Sequence, residues 1–85
     1  MSPVKLYLQA LALHKRLLGD NHPHVAISLN NLAGLYKSQG KYEQSEPLLL
    51  QALEILERQL GVNHPNTITC RENLADLRDA LKSQQ

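Results

Sequence analysis

The sequence predicts an all-α fold of four antiparallel helices stacked as a helical-hairpin solenoid, and three observations predict it. Blocks of the chain recur at one fixed offset. Apolar residues fall three and four apart in four consecutive segments. Prolines and glycines stand where those segments start and stop.

The recurrence comes first, because a missed repeat misassigns the whole fold. Leu18-Gly19-Asp20-Asn21-His22-Pro23 returns 42 residues later as Leu60-Gly61-Val62-Asn63-His64-Pro65. At the same offset Leu8-Gln9-Ala10-Leu11 returns as Leu50-Gln51-Ala52-Leu53, and Asn31-Leu32-Ala33 as Asn73-Leu74-Ala75. The 85 residues therefore hold about two periods, in one small domain spanning 1–85.

The first helix is expected over about 3–18, with Ser2 as N-cap and Pro3 in the first turn. Val4, Leu8, Leu11 and Leu18 form one stripe, interrupted by Lys15; Leu6, Leu13 and Leu17 form another. The second helix, about 23–39, steps through Val25, Leu29, Leu32 and Tyr36. The third, about 42–60, carries Ser45, Leu49, Ala52, Leu56 and Leu60, with a slight bend expected at Pro47. The fourth, about 65–82, carries Thr67, Cys70, Leu74, Leu77 and Leu81. Pro23 and Pro65 suit a first helical position, where a missing N–H costs nothing, and each forces the preceding His out of helical geometry. Gly19, Gly40 and Gly61 stand where a helix stops. The loops are short, so neighbouring helices run antiparallel. Leu32 and Leu53 remain Leu in the other copy, as Leu74 and Leu11, and are expected in the core.

Composition narrows the function. With three Tyr and neither Trp nor Phe, the core must be aliphatic. A net charge of +1 gives no electrostatic case for nucleic acid or an anionic membrane. The longest apolar run, Leu48-Leu49-Leu50, is far short of the ~20 residues a membrane span needs. No signal peptide is expected, and the single Cys70 fits a reducing, cytoplasmic setting.

Leu29, Leu32-Ala33, Tyr36, Gly40, Tyr42, Leu49 and Ala52 together resemble the tetratricopeptide repeat pattern, with Ser45 where that family usually has Ala. The longer period, the Leu-Gly-x-Asn-His-Pro link and Leu29-Asn30-Asn31-Leu32-Ala33 resemble the kinesin light chain branch. The resemblance covers about residues 6–82. It implies a right-handed solenoid and a protein-binding module rather than an enzyme.

In the fourth helix, Arg71, Asp76, Arg78 and Lys82 replace Leu29, Gly34, Tyr36 and Gly40 of the second. The face that would receive a following helix is thus charged, which reads as a polar cap on the array, with residues 83–85 as a tail. The alternative is a fragment of a longer array. The first helix is apolar nearly all round and lacks an upstream partner helix. A removed repeat or another chain would cover it; self-association through Leu6, Leu13 and Leu17, as a homodimer, is expected.

Little catalytic chemistry is legible. His22, His24 and His64 recur with the turn, and no carboxylate or Cys completes a tetrahedral set, so no metal site is expected. His14 aligns with Leu56 and reads as a packing residue. Cys70 aligns with Ser28 on a buried stripe and reads as inert core. No Gly-rich loop cradles a phosphate, and no cofactor or catalytic residue is expected. Ligands of the resembled family use the concave face of the first helix of each hairpin. That places Ile27, Asn30, Asn31, Gly34, Lys37, Glu72, Asn73 and Asp76 in or beside a peptide-binding surface. Asn31 and its repeat Asn73 have two readings: they pair with the backbone of an extended peptide, or they satisfy a loop carbonyl between layers.

Overall fold

A computed structural model describes residues 2–84. It contains α1 (Pro3–Leu18), α2 (Pro23–Ser38), α3 (Tyr42–Leu60) and α4 (Pro65–Ser83), with no strand among the described residues. α2 stops one residue before the expected 39, and α4 runs one residue past the expected 82. α3 continues unbroken through Pro47.

Local chemistry sets the ends. Ser2 Oγ accepts the Lys5 N–H at 3.2 Å and caps α1. α2 and α4 begin with an unusual cap: the Nδ1 of His22 accepts the His24 N–H, and the Nδ1 of His64 accepts the Asn66 N–H, both at 3.1 Å. Each imidazole thus serves an N–H that a helix start leaves without a backbone partner. Gly19 and Gly61 close α1 and α3 at φ 90° and 91°, a conformation that costs a side-chain-bearing residue heavily.

Consecutive helices pack on one another, and α2 and α3 share the most extensive contact. The Cα envelope measures 39 × 36 × 15 Å, thin enough for two helix layers at the usual 8–10 Å spacing. The core is aliphatic: Val25, Ala26, Leu29, Leu32 and Ala33 from α2, Leu49, Ala52, Ile55 and Leu56 from α3, and Cys70, Leu74 and Leu77 from α4. Ser45 joins the layers from within this core, its Oγ donating to the Ala33 carbonyl at 2.7 Å.

The expected stripes need correcting in two places. Of the α1 stripe only Leu11 is buried; Val4 packs partly, and Leu8 and Leu18 are exposed, because α1 has a single extensive neighbour, α2. On α3, Ile55 is buried while Leu53 is only partly so. Helices α2 and α4 flank α3 on two sides, so its buried arc is wider than one stripe.

Candidate functional site

The face shared by α2 and α4 holds a shallow groove made of two adjoining hollows, each about 200 Å³. Asn30 borders both. One hollow is lined by Asn30, Ala33, Gly34, Lys37, Ser45, Leu49 and Asn73, the other by Ile27, Asn30, Leu56, Asn66 and Thr69. α2 and α4 supply the walls. α3 supplies the floor through Ser45, Leu49 and Leu56, three of its buried residues.

Helical spacing explains the α2 wall. Ile27, Asn30, Gly34 and Lys37 step by three, four and three, which keeps them on one face. α4 contributes Asn66, Thr69 and Asn73 at spacings of three and four for the same reason. Asn73 Nδ2 donates to Asn30 Oδ1 at 3.2 Å, a half-buried bridge between the two walls. Each amide keeps a free function: the remaining N–H groups of Asn30 and the Asn73 carbonyl oxygen. Lys37 is the one charged residue in the lining.

Gly34 has no other structural duty. It sits mid-helix at ordinary φ, and a Cβ added there would meet nothing within 4 Å. Glycine in a helix interior costs about 0.5–1 kcal/mol relative to Ala. Here its effect is to leave the groove open.

Five of the eight expected peptide-binding residues line this groove: Ile27, Asn30, Gly34, Lys37 and Asn73. Asn31, Glu72 and Asp76 are exposed and outside the lining. Asn73 meets the side chain of Asn30 rather than a loop carbonyl. Asn66 and Thr69 were not anticipated; helical spacing back from Asn73 would have found both. Leu6, Leu13 and Leu17 lie on α1 at 53%, 43% and 67% exposure and are not part of the groove lining.

Elsewhere the polar groups are used locally. His14 Nδ1 lies 2.8 Å from Ser28 Oγ, tying α1 to α2. The rings of His22 and His24 stack at 5.0 Å. No group of three or more His, Cys, Asp or Glu among the described residues is placed to hold a metal. Cys70 is buried, with Sγ 3.7 Å from the Leu49 carbonyl. Burial pushes its thiol pKa up, Glu57 adds to the rise and Arg71 opposes it. Arg71 and Arg78 do not simply face solvent. They reach back to Glu57 at 3.3 Å and Glu46 at 3.1 Å on α3, and Arg71 also donates to the Val62 carbonyl.

Stacked helical hairpins with a side-chain-lined groove between alternate helices define a repeat-built interaction module. The tetratricopeptide repeat family model matches residues 4–58 and 26–85, nearly the whole chain between them. The chain belongs to the tetratricopeptide repeat family, and its fold is that family's right-handed helical-hairpin solenoid. Such repeats generally mediate protein–protein interaction and are typically non-catalytic. No curated protein matches the sequence. No helix among the described residues is long and apolar enough to cross a membrane.

Proposed function

We propose that this chain is a non-catalytic interaction module that holds an extended peptide, or one face of a partner helix, in the groove between α2 and α4. The open space above Gly34 carries this reading. A mid-helix glycine with nothing near its missing Cβ is explained by a ligand that needs the depth. The free amide functions of Asn30 and Asn73 suit the N–H and C=O groups of a peptide backbone irrespective of its sequence. Ile27, Leu49 and Leu56 offer apolar contact, and Lys37 favours an acidic residue at its end of the groove. Asn31, Glu72 and Asp76 lie one helical step beyond the lining and would serve a longer ligand.

A peptide selected from a random display library against the immobilised chain tests this. Gly34→Gln fills the groove without touching the core and should abolish binding, whereas Gly34→Ala should weaken it less. Binding unchanged by Gly34→Gln, with the helical spectrum intact, would remove the groove from consideration.

The recurrent Leu-Gly-x-Asn-His-Pro link supports a place in the kinesin light chain branch, and the buried lone Cys70 supports a cytoplasmic setting. Self-assembly through Leu6, Leu13 and Leu17 is the competing function. The apolar surface of α1 favours it, since six of the ten exposed large hydrophobics lie there: Leu6, Tyr7, Leu8, Leu13, Leu17 and Leu18. Charge opposes it, because α1 carries Lys5, Lys15 and Arg16 and no acidic residue for a second copy to meet.

A further inference from the structure

The Asn30–Asn73 hydrogen bond divides the groove, and the division limits what can lie in it. Asn73 Nδ2 and Asn30 Oδ1 meet at 3.2 Å across the gap between α2 and α4. One hollow has Gly34 and Leu49 in its lining; the other has Ile27, Leu56 and Thr69. On α2, Gly34 stands seven positions from Ile27; on α3, Leu49 stands seven from Leu56; on α4, Asn73 stands four from Thr69. At ~1.5 Å per residue the hollows are therefore about 6–10.5 Å apart along the helix axes.

A helix answers neither feature. It is about 10–12 Å across with its side chains, wider than a gap that two amide side chains span. Its interior N–H and C=O groups are bonded to one another along its own axis. They have nothing to give the unpaired N–H groups of Asn30 or the Asn73 carbonyl oxygen. An extended chain answers both. Its N–H and C=O groups point sideways, toward the two walls, while its side chains alternate between floor and solvent. Residues two apart share a face at about 6.5–7 Å, within the separation of the hollows, whereas residues four apart, at about 13 Å, overshoot it.

We infer that the groove reads a three-residue signature of an extended peptide: apolar side chains from residues i and i+2 fill the two hollows, the residue between them faces solvent, and the peptide groups between the pair bond to Asn30 and Asn73. The register presupposes the α2–α4 groove proposed above as the ligand site, and it excludes a partner helix from that groove. To test it, a random peptide library is panned on the full chain, and clones that also bind Gly34→Gln are discarded. The tightest remaining peptide is measured by fluorescence anisotropy as an alanine scan and as a backbone N-methyl scan. Alanine should cost at least about tenfold in Kd at two positions two apart, and less than about threefold at the residue between them. N-methylation of one of the two amides between that pair should cost about fivefold or more. That penalty should shrink against Asn73→Ala, which lacks the acceptor; the two scans use the parent chain and stand whether or not this variant folds. Sensitive positions spaced three, four or seven apart, a gain of helix by the peptide on binding, or tolerance of N-methylation at both amides would overturn the register and leave the groove in place. A library that yields no clone lost on Gly34→Gln would overturn the groove itself, and the register with it.

Discussion

Leu32→Ala tests the packing on which every surface above depends. Leu32 is 1% exposed within the central cluster, and its helix has extensive neighbours on both sides, α1 and α3. Removing a buried Leu side chain costs about 2–5 kcal/mol, with the upper half applying where surrounding elements cannot close on the void. The expected loss is about 3–5 kcal/mol. Leu53 is the internal comparison: it is only partly buried against the core, so about half the ~1.5–3 kcal/mol of full burial is at stake, or about 0.8–1.5 kcal/mol. A chain of 85 residues has a total stability of roughly 4–13 kcal/mol, so the first substitution removes a third or more of it in most of that range. Thermal unfolding followed by far-UV circular dichroism should show a midpoint drop of at least ~12 °C for Leu32→Ala and roughly 3–12 °C for Leu53→Ala. A drop for Leu53→Ala equal to or larger than that for Leu32→Ala would show that the helix faces are assigned wrongly.

Three further outcomes follow from individual residues. Thr67 Oγ1 is buried with no hydrogen-bond partner among the described residues, while the same repeat position in α2 is the fully buried Val25. Thr67→Val should therefore raise stability by about 1 kcal/mol in urea unfolding, and a loss would mean that the hydroxyl has a role in the native state. His64→Ala removes the cap on Asn66 and should cost about 1 kcal/mol. His64→Asp, a preferred cap that also meets the helix dipole favourably, should be at least as stable as the parent. The raised Cys70 pKa means that the folded chain keeps this proton to higher pH than the unfolded chain. Its contribution is fully present below about pH 9 and is lost as pH rises beyond, so stability should fall less steeply there in Cys70→Ala. Equal slopes in the two proteins would contradict the burial argument.

The architecture was legible because backbone chemistry repeats visibly. Pro23 and Pro65 recur where a helix begins and Gly19, Gly40 and Gly61 where one ends, and with the apolar spacing between them four helices follow, even though Pro47 and Gly34 lie inside helices. What the sequence concealed depends on how many neighbours a helix has. α1, with one extensive neighbour, exposes Leu8 and Leu18 from a stripe that would be buried in the middle of a stack. α3, with two, buries Ile55 outside the expected stripe. The groove was half legible for a related reason. Repeat alignment equates Asn73 with Asn31, but contact across layers pairs it with Asn30, because equivalent residues of successive repeats point the same way rather than at each other. The histidine caps were hidden because His is not a usual cap, and only the Nδ1 geometry reveals them.

The central claim, that the face between α2 and α4 binds a peptide, is tested most directly by amide chemical-shift mapping. The isotopically labelled chain would be titrated with a display-selected peptide, following backbone signals and the side-chain amides of Asn30 and Asn73. The expected result is saturable shifts at Ile27, Asn30, Gly34, Lys37 and Asn73, with both side-chain amides among the largest. Shifts confined to α1, or a peptide that binds tightly while those five residues stay unmoved, would contradict it.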